Sequence, residues 1–318
     1  MTCAHQPPDP AVRETALFFL YLFACLVLGA LLTWPLMQTG WIDQDPQRVM
    51  GRLAQALILI GLWPLLKAIG VADGGSLGYG AEPSRFGRTL GLGWLVGVAI
   101  LTALVLTLIA LGVRVPDAGP APALPALAAK ALAGGLIVAL LEETFFRGAL
   151  YSAVARRTGA WQAILWSALL YALLHFMKPR PLPDGLAYDW TSHWMIFLST
   201  FTSPWQWEHL DSFIALLLAG IFLGLVRRRT GHIGWCLGLH AGWVFVIQIA
   251  RGLTDGNDGA SLSYLVGDYD GVIGWLAAAW IGVLALGLAL APGRLPPAAP
   301  SQTLAQVRDN PSARLDQP

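Results

Sequence analysis

The residues of this chain best suited to chemistry are two adjacent carboxylates, Glu142 and Glu143, followed by Arg147. They lie at the end of an apolar run that begins at Ala131 and is typical of a membrane helix. Ionisable side chains at that depth are costly and usually functional. Glu143 and Arg147 stand four residues apart on one helix face, so they can pair. Glu142 is turned about 100° away, which leaves its carboxylate free for other chemistry.

Two later apolar runs each contain one histidine, His175 and His240. With a rise of about 1.5 Å per residue, the distances to flanking arginines place Glu142 and both histidines near the middle of the hydrocarbon layer. A carboxylate in a low dielectric can act as a general base or acid, and a histidine can share its water. A further polar group can stabilise a developing oxyanion. If the three helices are neighbours, the set can activate water for peptide hydrolysis.

The composition indicates the elements that must position these groups. Only 12% of the 318 residues are charged, against about 25% in a soluble domain. A net charge of +1 gives no indication of a nucleic-acid partner. A membrane span needs about 20 apolar residues. We therefore predict an all-α, polytopic transmembrane helix bundle of about eight spans, over residues 15–36, 53–71, 90–113, 127–153, 161–177, 213–226, 233–250 and 272–291.

The predicted domain organisation is simple. Residues 1–14 form a short cytoplasmic tail, and residues 15–292 form one membrane-embedded domain. Residues 293–318 are rich in Pro, Ala, Gln and Asp, a composition typical of a disordered tail.

The loop charges predict an orientation, because an excess of Lys and Arg marks the cytoplasmic side. With the amino terminus inside, the cytoplasmic loops carry Arg85, Arg88, Arg156, Arg157, Arg227, Arg228 and Arg229. The opposite loops carry Asp43, Asp45, Asp184, Asp189, Asp255, Asp258, Asp268 and Asp270. We expect a multi-pass protein of the inner (plasma) membrane with both termini in the cytoplasm.

The longest loop, residues 178–210, is expected outside and contains four tryptophans around an apolar segment. Aromatic residues of this kind collect at the membrane interface. The pattern predicts a short helix lying on the outer surface, and the alternative is a lid over a buried site. His193 and His209 of this loop are interpreted as interfacial residues rather than ligands.

Taken in order, the polar motifs resemble those of a known family. Glu142-Glu143-x-x-x-Arg147, then Tyr171-x-x-x-His175, then His240 in a later span, resemble the three motifs of the CAAX-protease and bacteriocin-processing (CPBP/Abi) family. These are glutamic-type intramembrane endopeptidases. The resemblance covers residues 130–246 and implies a membrane-associated protein or peptide as substrate, in contact with the lipid bilayer, with no cofactor or metal.

The resemblance also implies roles for individual residues. Glu142 is similar to the catalytic carboxylate that activates water together with His175, and His240 is similar to the histidine on the oxyanion side. Glu143 and Arg147 are similar to supporting residues, and Tyr171 stands where the family usually has Phe. The family usually has Asn or Asp four residues after the last histidine, and this chain has Val244 there. Trp243 or Gln248 is then a candidate substitute donor.

Two other classes of function stay open at this point. Glu142, His175 and His240 could instead be the ligands of a catalytic zinc, although the His-Glu-x-x-His signature is absent. The protein could also be a non-catalytic membrane scaffold or transporter, and Val244 is the feature that favours this class.

Overall fold

The structure is a computed structural model that describes residues 10–119, 122–202, 204 and 206–291. The described part is almost entirely helical. Its α-helices are α1 (Pro10–Gln38), α2 (Pro46–Ala68), α3 (Pro83–Ala110), α4 (Leu124–Glu143), α5 (Tyr151–Thr158), α6 (Ala160–Phe176), α7 (Trp190–Thr202), α8 (Leu210–Thr230), α9 (Gly234–Leu253) and α10 (Trp275–Leu290). Two short strands, β1 (Arg114–Pro116) and β2 (Thr254–Gly256), pair antiparallel.

The predicted all-α membrane bundle is confirmed. Among the described residues, six helical stretches are long and apolar enough to cross a membrane, and the shorter apolar helices α6 and α10 bring the number of expected segments there to eight. Each of these eight segments overlaps one of the predicted spans. The protein is therefore an integral membrane protein of the polytopic helical class.

The tails fall largely outside the described residues. Of the predicted amino-terminal tail, residues 1–9 lie outside, whereas residues 10–14 belong to α1. The predicted disordered segment 293–318 also lies outside the described residues.

Glycines allow α9 to approach α3 and α4 closely. A Cβ atom on Gly97 of α3 would lie 2.4 Å from the carbonyl oxygen of Leu239, and one on Gly135 of α4 would lie 2.7 Å from that of Ala241. Small residues at such crossings are typical of helix packing in membranes. Because these two contacts flank His240, they fix its depth and its position against α4.

The loop between α6 and α8 contains a helix, as predicted, and the described residues of this helix lie outside the lining of the central cavity. Helix α7 packs on α1 and α2, and the ring of Trp34 lies 5.1 Å from Trp190 and 5.5 Å from His193, between ring centroids. None of the α7 residues described lines the central cavity. Aromatic packing therefore holds the described part of α7 against a face of the bundle other than the one that carries the cavity.

A second loop, residues 254–274, lies at the same end of the bundle. Buried Arg114 anchors it by donating hydrogen bonds from its guanidinium to the Thr254 hydroxyl, at 2.7 Å, and to the carbonyl oxygens of Thr254 and Gly271. These bonds tie β1 to both ends of the loop. The loop thereby returns Tyr269 and Asp270 to the end of α6, where the cavity lies.

Candidate active site

A buried ion network surrounds Glu143. Its Oε1 atom accepts a hydrogen bond from Arg147 Nη1 at 2.9 Å and another from His240 Nδ1 at 2.8 Å. The side chains of Glu143 and Arg147 are both 0% exposed. The predicted pair of Glu143 and Arg147 is confirmed, and it includes a histidine from another helix. A buried carboxylate with two such donors is held in one position.

The helix changes its winding directly after the two carboxylates. Residues Thr144–Leu150 form a π-helical stretch between α4 and α5, and such stretches occur frequently at functional sites. The carbonyl oxygen of Arg147 accepts a hydrogen bond from Arg227 Nε at 3.1 Å. A donor from α8 therefore supports the backbone of the wider turn. The sequence analysis did not predict the π-helix.

Glu142 faces two histidines rather than an arginine. Its Oε2 atom lies 3.8 Å from Nε2 of His175 and 3.8 Å from Nε2 of His240. This oxygen is buried and has no hydrogen-bond partner among the described residues. The structure thus brings together Glu142 of α4, His175 of α6 and His240 of α9. His175 is in the last turn of α6, closer to the end of its span than the sequence analysis expected.

The hydrogen bonds fix the tautomers of both histidines. His175 Nδ1 lies 2.7 Å from the carbonyl oxygen of Tyr171, which can only accept, so Nδ1 carries the proton. His240 Nδ1 faces the Glu143 carboxylate and likewise donates. In the neutral form, each Nε2 is therefore an acceptor. Three acceptor atoms therefore converge, namely Glu142 Oε2 and the Nε2 atoms of both histidines. Such an arrangement requires a donor, which is either a bound water molecule or an added proton.

The cluster opens into a cavity of about 480 Å³. Most of the wall is apolar, and its polar groups include Glu142, His175 and His240. The wall is formed by Leu101, Leu104, Val138, Glu142, Tyr171, His175, Ala215, Leu216, Ala219, His240, Trp243, Val244, Ile247, Gln248, Arg251, Tyr269, Asp270, Ile273, Ala277, Trp280 and Ile281. A cavity of this size and character can hold a short peptide segment.

The supporting residues named from the sequence also lie at this cavity. Buried Tyr171 places its ring 4.6 Å beneath the Arg147 guanidinium and 4.4 Å from the His175 ring. Val244 and Trp243 line the wall one turn beyond His240. The indole Nε1 of Trp243 is buried without a hydrogen-bond partner among the described residues. Trp243 is therefore a lining residue that carries a donor without a partner among the described residues.

Sequence reasoning missed four polar residues at this end of the bundle. Tyr269, Asp270 and Arg251 line the cavity, and Lys178 donates a hydrogen bond to the Tyr269 hydroxyl at 3.1 Å. Three of the four lie in loops and belong to no motif. Arg251 alone had a usable signal, because it stands eleven residues after His240, about three full helical turns.

Burial shifts the pKa of two of these loop groups, Asp270 and Lys178. It raises the pKa of Asp270, although hydrogen bonds from the backbone N–H groups of Ile273 and Val272 oppose the shift. It lowers the pKa of Lys178, which the Glu142 carboxylate opposes. Both shifts favour the neutral form, as expected for groups removed from water.

The described His, Cys, Asp and Glu side chains were compared with the requirement of a metal site for at least three ligands. Within the described residues, no group of three or more His, Cys, Asp and Glu side chains is arranged to hold a metal ion. What the fold and the site define is a polytopic helical membrane protein with a carboxylate and two histidines at a largely apolar cavity.

The particular family follows from a comparison with family models. Residues 124–246 match the model described as Rce1-like, type II CAAX prenyl endopeptidase. This segment, less than half of the chain, is thus similar to a family of membrane endopeptidases, and the match includes α4, α6 and most of α9, the helices that carry the cluster. No curated protein and no solved structure matches the chain.

Proposed function

We propose that this protein hydrolyses peptide bonds of membrane-associated substrates with a water molecule activated by Glu142 and His175. The observation that carries the proposal is the position of Glu142 Oε2, which is buried, has no hydrogen-bond partner among the described residues and lies 3.8 Å from Nε2 of both histidines. An unpaired buried acceptor is costly unless a donor satisfies it. A water molecule supplies that donor.

The water is oriented by two acceptors. One of its hydrogens is donated to Glu142 Oε2 and the other to His175 Nε2, since His175 Nδ1 already donates to Tyr171. The oxygen lone pair then points away from both and into the cavity. In the first step, this oxygen forms a bond to the substrate carbonyl carbon while Glu142 accepts the proton. The electron pair of the carbonyl double bond moves to the carbonyl oxygen.

His240 is the proposed partner of that oxyanion, and Glu143 determines how it can act. Because His240 Nδ1 donates to Glu143, its Nε2 carries a proton only in the imidazolium form. The neighbouring carboxylate stabilises this cation. Glu143 is also paired with Arg147, at 2.9 Å. The buried network therefore prepares a donor at Nε2, and a preorganised donor of this kind stabilises the tetrahedral intermediate.

Trp243 is the proposed second donor, in place of the Asn or Asp that the family has at position 244. Its indole N–H is unpaired among the described residues, and Trp243 is one of the residues that line the cavity. Gln248 lies two turns beyond His240, about 12 Å along the helix, which is too far to reach the same oxygen. Its amide instead packs near Gly134 of α4.

Collapse of the intermediate completes the reaction. Glu142 returns the proton to the amide nitrogen, the C–N bond breaks, and the electron pair of the oxyanion restores the carbonyl. The products are a carboxylic acid and an amine, so the water is fully accounted for. The family description names the CAAX motif, which is a carboxyl-terminal sequence, and the apolar wall suits the aliphatic side chains of such a segment.

The decisive experiment compares Glu142→Gln with wild type on a quenched membrane peptide. Glu142→Gln is expected to abolish cleavage while thermal unfolding stays near wild type, because the amide keeps the shape but cannot take the proton. Glu208→Gln is the matched control, since Glu208 is exposed and outside the cavity. Equal rates for Glu142→Gln and wild type would remove the basis of the mechanism.

A chelator separates this mechanism from the zinc alternative. Glutamate-activated water requires no metal, so activity is expected to survive prolonged chelation, and elemental analysis of active protein is expected to show far less than one zinc per chain. Zinc bound in stoichiometric amount, and lost and regained together with activity, would establish the alternative.

A further inference from the structure

Helix α8 holds Arg147 by two separate hydrogen bonds. The carbonyl oxygen of Gly220 accepts a hydrogen bond from Arg147 Nη2 at 3.3 Å, and Nε of Arg227 donates one to the Arg147 carbonyl oxygen at 3.1 Å. Gly220 and Arg227 are separated by about two helical turns, so they lie on one face of α8. A single helix face therefore holds both the side chain and the backbone of Arg147.

Arg227 is a buried cation whose closest neighbours carry no negative charge. The residue is 7% exposed, and its guanidinium carbon lies 5.5 Å from the centroid of the Tyr151 ring. A Cβ atom on Gly78, in the loop between α2 and α3, would lie 3.0 Å from that carbon, so the glycine packs closely against the guanidinium. Burying a cation is costly unless its donors are used. Among the described residues, this guanidinium uses its Nε donor on the Arg147 carbonyl.

The accepting carbonyl lies within the π-helical stretch that follows the two carboxylates. Arg147 donates to Glu143 at 2.9 Å, and Glu143 accepts from His240 at 2.8 Å. A continuous series of hydrogen bonds therefore leads from Arg227 to His240, whose Nε2 lies 3.8 Å from Glu142 Oε2. Close-packed interiors transmit displacements. A shift of the Arg147 backbone is thus expected to move His240 relative to Glu142.

We propose that Arg227 is a positioning residue for the peptidase reaction, because its Nε–H group holds the backbone of Arg147. Through Arg147 and Glu143, this bond determines where the His240 ring stands. The inference rests on the proposed function and adds a residue that does not line the cavity. The positioning depends on a donor at the Nε atom rather than on the positive charge. A displacement of about 1 Å in a reactive cluster can lower a rate about 10²-fold.

Two neutral replacements separate this hydrogen bond from charge and packing. Glutamine carries its amide nitrogen the same number of bonds from Cα as arginine carries Nε, so Arg227→Gln keeps a donor there. Arg227→Met places a methyl group at that position and keeps only the apolar stem. We expect Arg227→Met to lower kcat for a quenched membrane peptide about ten- to hundredfold, with KM nearly unchanged. Arg227→Gln should keep kcat within about threefold of wild type.

A second measurement follows His240 itself and requires no substrate. The ring nitrogen resonances of protein labelled with ¹⁵N-histidine are recorded in detergent micelles, and those of His240 are assigned by their loss in His240→Gln. Arg227→Met is expected to shift them, whereas Arg227→Gln is expected to leave them close to wild type. Arg228→Met is the matched control, because the adjacent Arg228 guanidinium lies 4.5 Å from the Trp161 ring, outside the cavity. It should change neither kcat nor the resonances.

The outcomes distinguish this proposal from the endopeptidase function. Wild-type kcat and unshifted resonances in Arg227→Met, or equal losses in Arg227→Met and Arg227→Gln, overturn the role of Arg227 while the endopeptidase stands. If Arg227→Met does not fold, Arg227→Lys takes its place, since lysine keeps the charge and carries its donor one atom further from Cα.

In Arg227→Lys, kcat should fall about threefold or more, and wild-type kcat with unshifted resonances would overturn the role. Wild-type protein that cleaves no peptide faster than Glu142→Gln overturns the endopeptidase itself. The resonances then still decide whether Arg227 positions His240.

Discussion

The buried network of Glu143, Arg147 and His240 allows a stability effect to be separated from a catalytic one. Replacing Glu143 with Leu removes the acceptor of two hydrogen bonds, of 2.9 and 2.8 Å, and leaves the Arg147 cation at 0% exposure without a counter-charge. Breaking one side of a buried pair costs about 3–5 kcal/mol. At about 2 °C per kcal/mol for a large domain, the melting temperature should fall by about 6–10 °C.

The double variant Glu143→Leu/Arg147→Met should reverse the loss of stability but not the loss of activity. Apolar replacements of similar volume for a buried ion pair are often neutral or stabilising, so we expect the melting temperature to return close to that of wild type. His240 Nδ1 nevertheless lacks its carboxylate acceptor, so the ring is no longer held in position. We expect kcat to stay about 10²–10³-fold below wild type, the usual cost of one oxyanion donor.

The assay measures thermal unfolding and peptide cleavage on the same purified samples in detergent. Arg48→Met is the control, because the Arg48–Asp45 pair is exposed and such pairs contribute at most about 1 kcal/mol. Recovery of both stability and activity in the double variant would refute a role for Glu143 in preparing His240. An unchanged melting temperature in Glu143→Leu would refute the reasoning from burial.

Three further predictions concern the donor, the pH response and the topology. Trp243→Phe should lower kcat about 10²-fold, and adding Val244→Asn should recover much of it; wild-type kcat in Trp243→Phe would contradict the substitute-donor assignment. Burial raises the pKa of Asp270, so its contribution to folding stability is complete below the unfolded pKa of about 4 and is lost as pH rises through the raised value. Thermal unfolding of Asp270→Asn between pH 4 and 8 should lack this decline, and an unaltered slope would count against it. An impermeant thiol reagent outside intact cells should label Asp184→Cys but not Thr158→Cys, both at exposed positions; the reverse pattern would place the cavity mouth on the cytoplasmic side.

The sequence by itself determined the features that depend on local geometry. A low charge content and long apolar runs require helices in a membrane, where every backbone group must be satisfied internally. The eight segments and the pairing of Glu143 with Arg147 follow from this, since a helix places residues four apart on one face. The same periodicity places Glu142 and Glu143 on different helix faces. In the structure, Glu142 lies near His175 and His240, whereas Glu143 pairs with Arg147 and His240.

Only the tertiary structure decided which helices meet and at what depth. His175 and His240 reach Glu142 because α6 and α9 pack beside α4, and glycine contacts such as that of Gly135 with Ala241 set the register. Hydropathy cannot encode that register, because the apolar faces of membrane helices are chemically alike. The same holds for Tyr269, which a loop anchored by Arg114 brings to the cavity, and for α7, which aromatic contacts hold away from it. These positions depend on contacts between segments far apart in the chain, which no local pattern records.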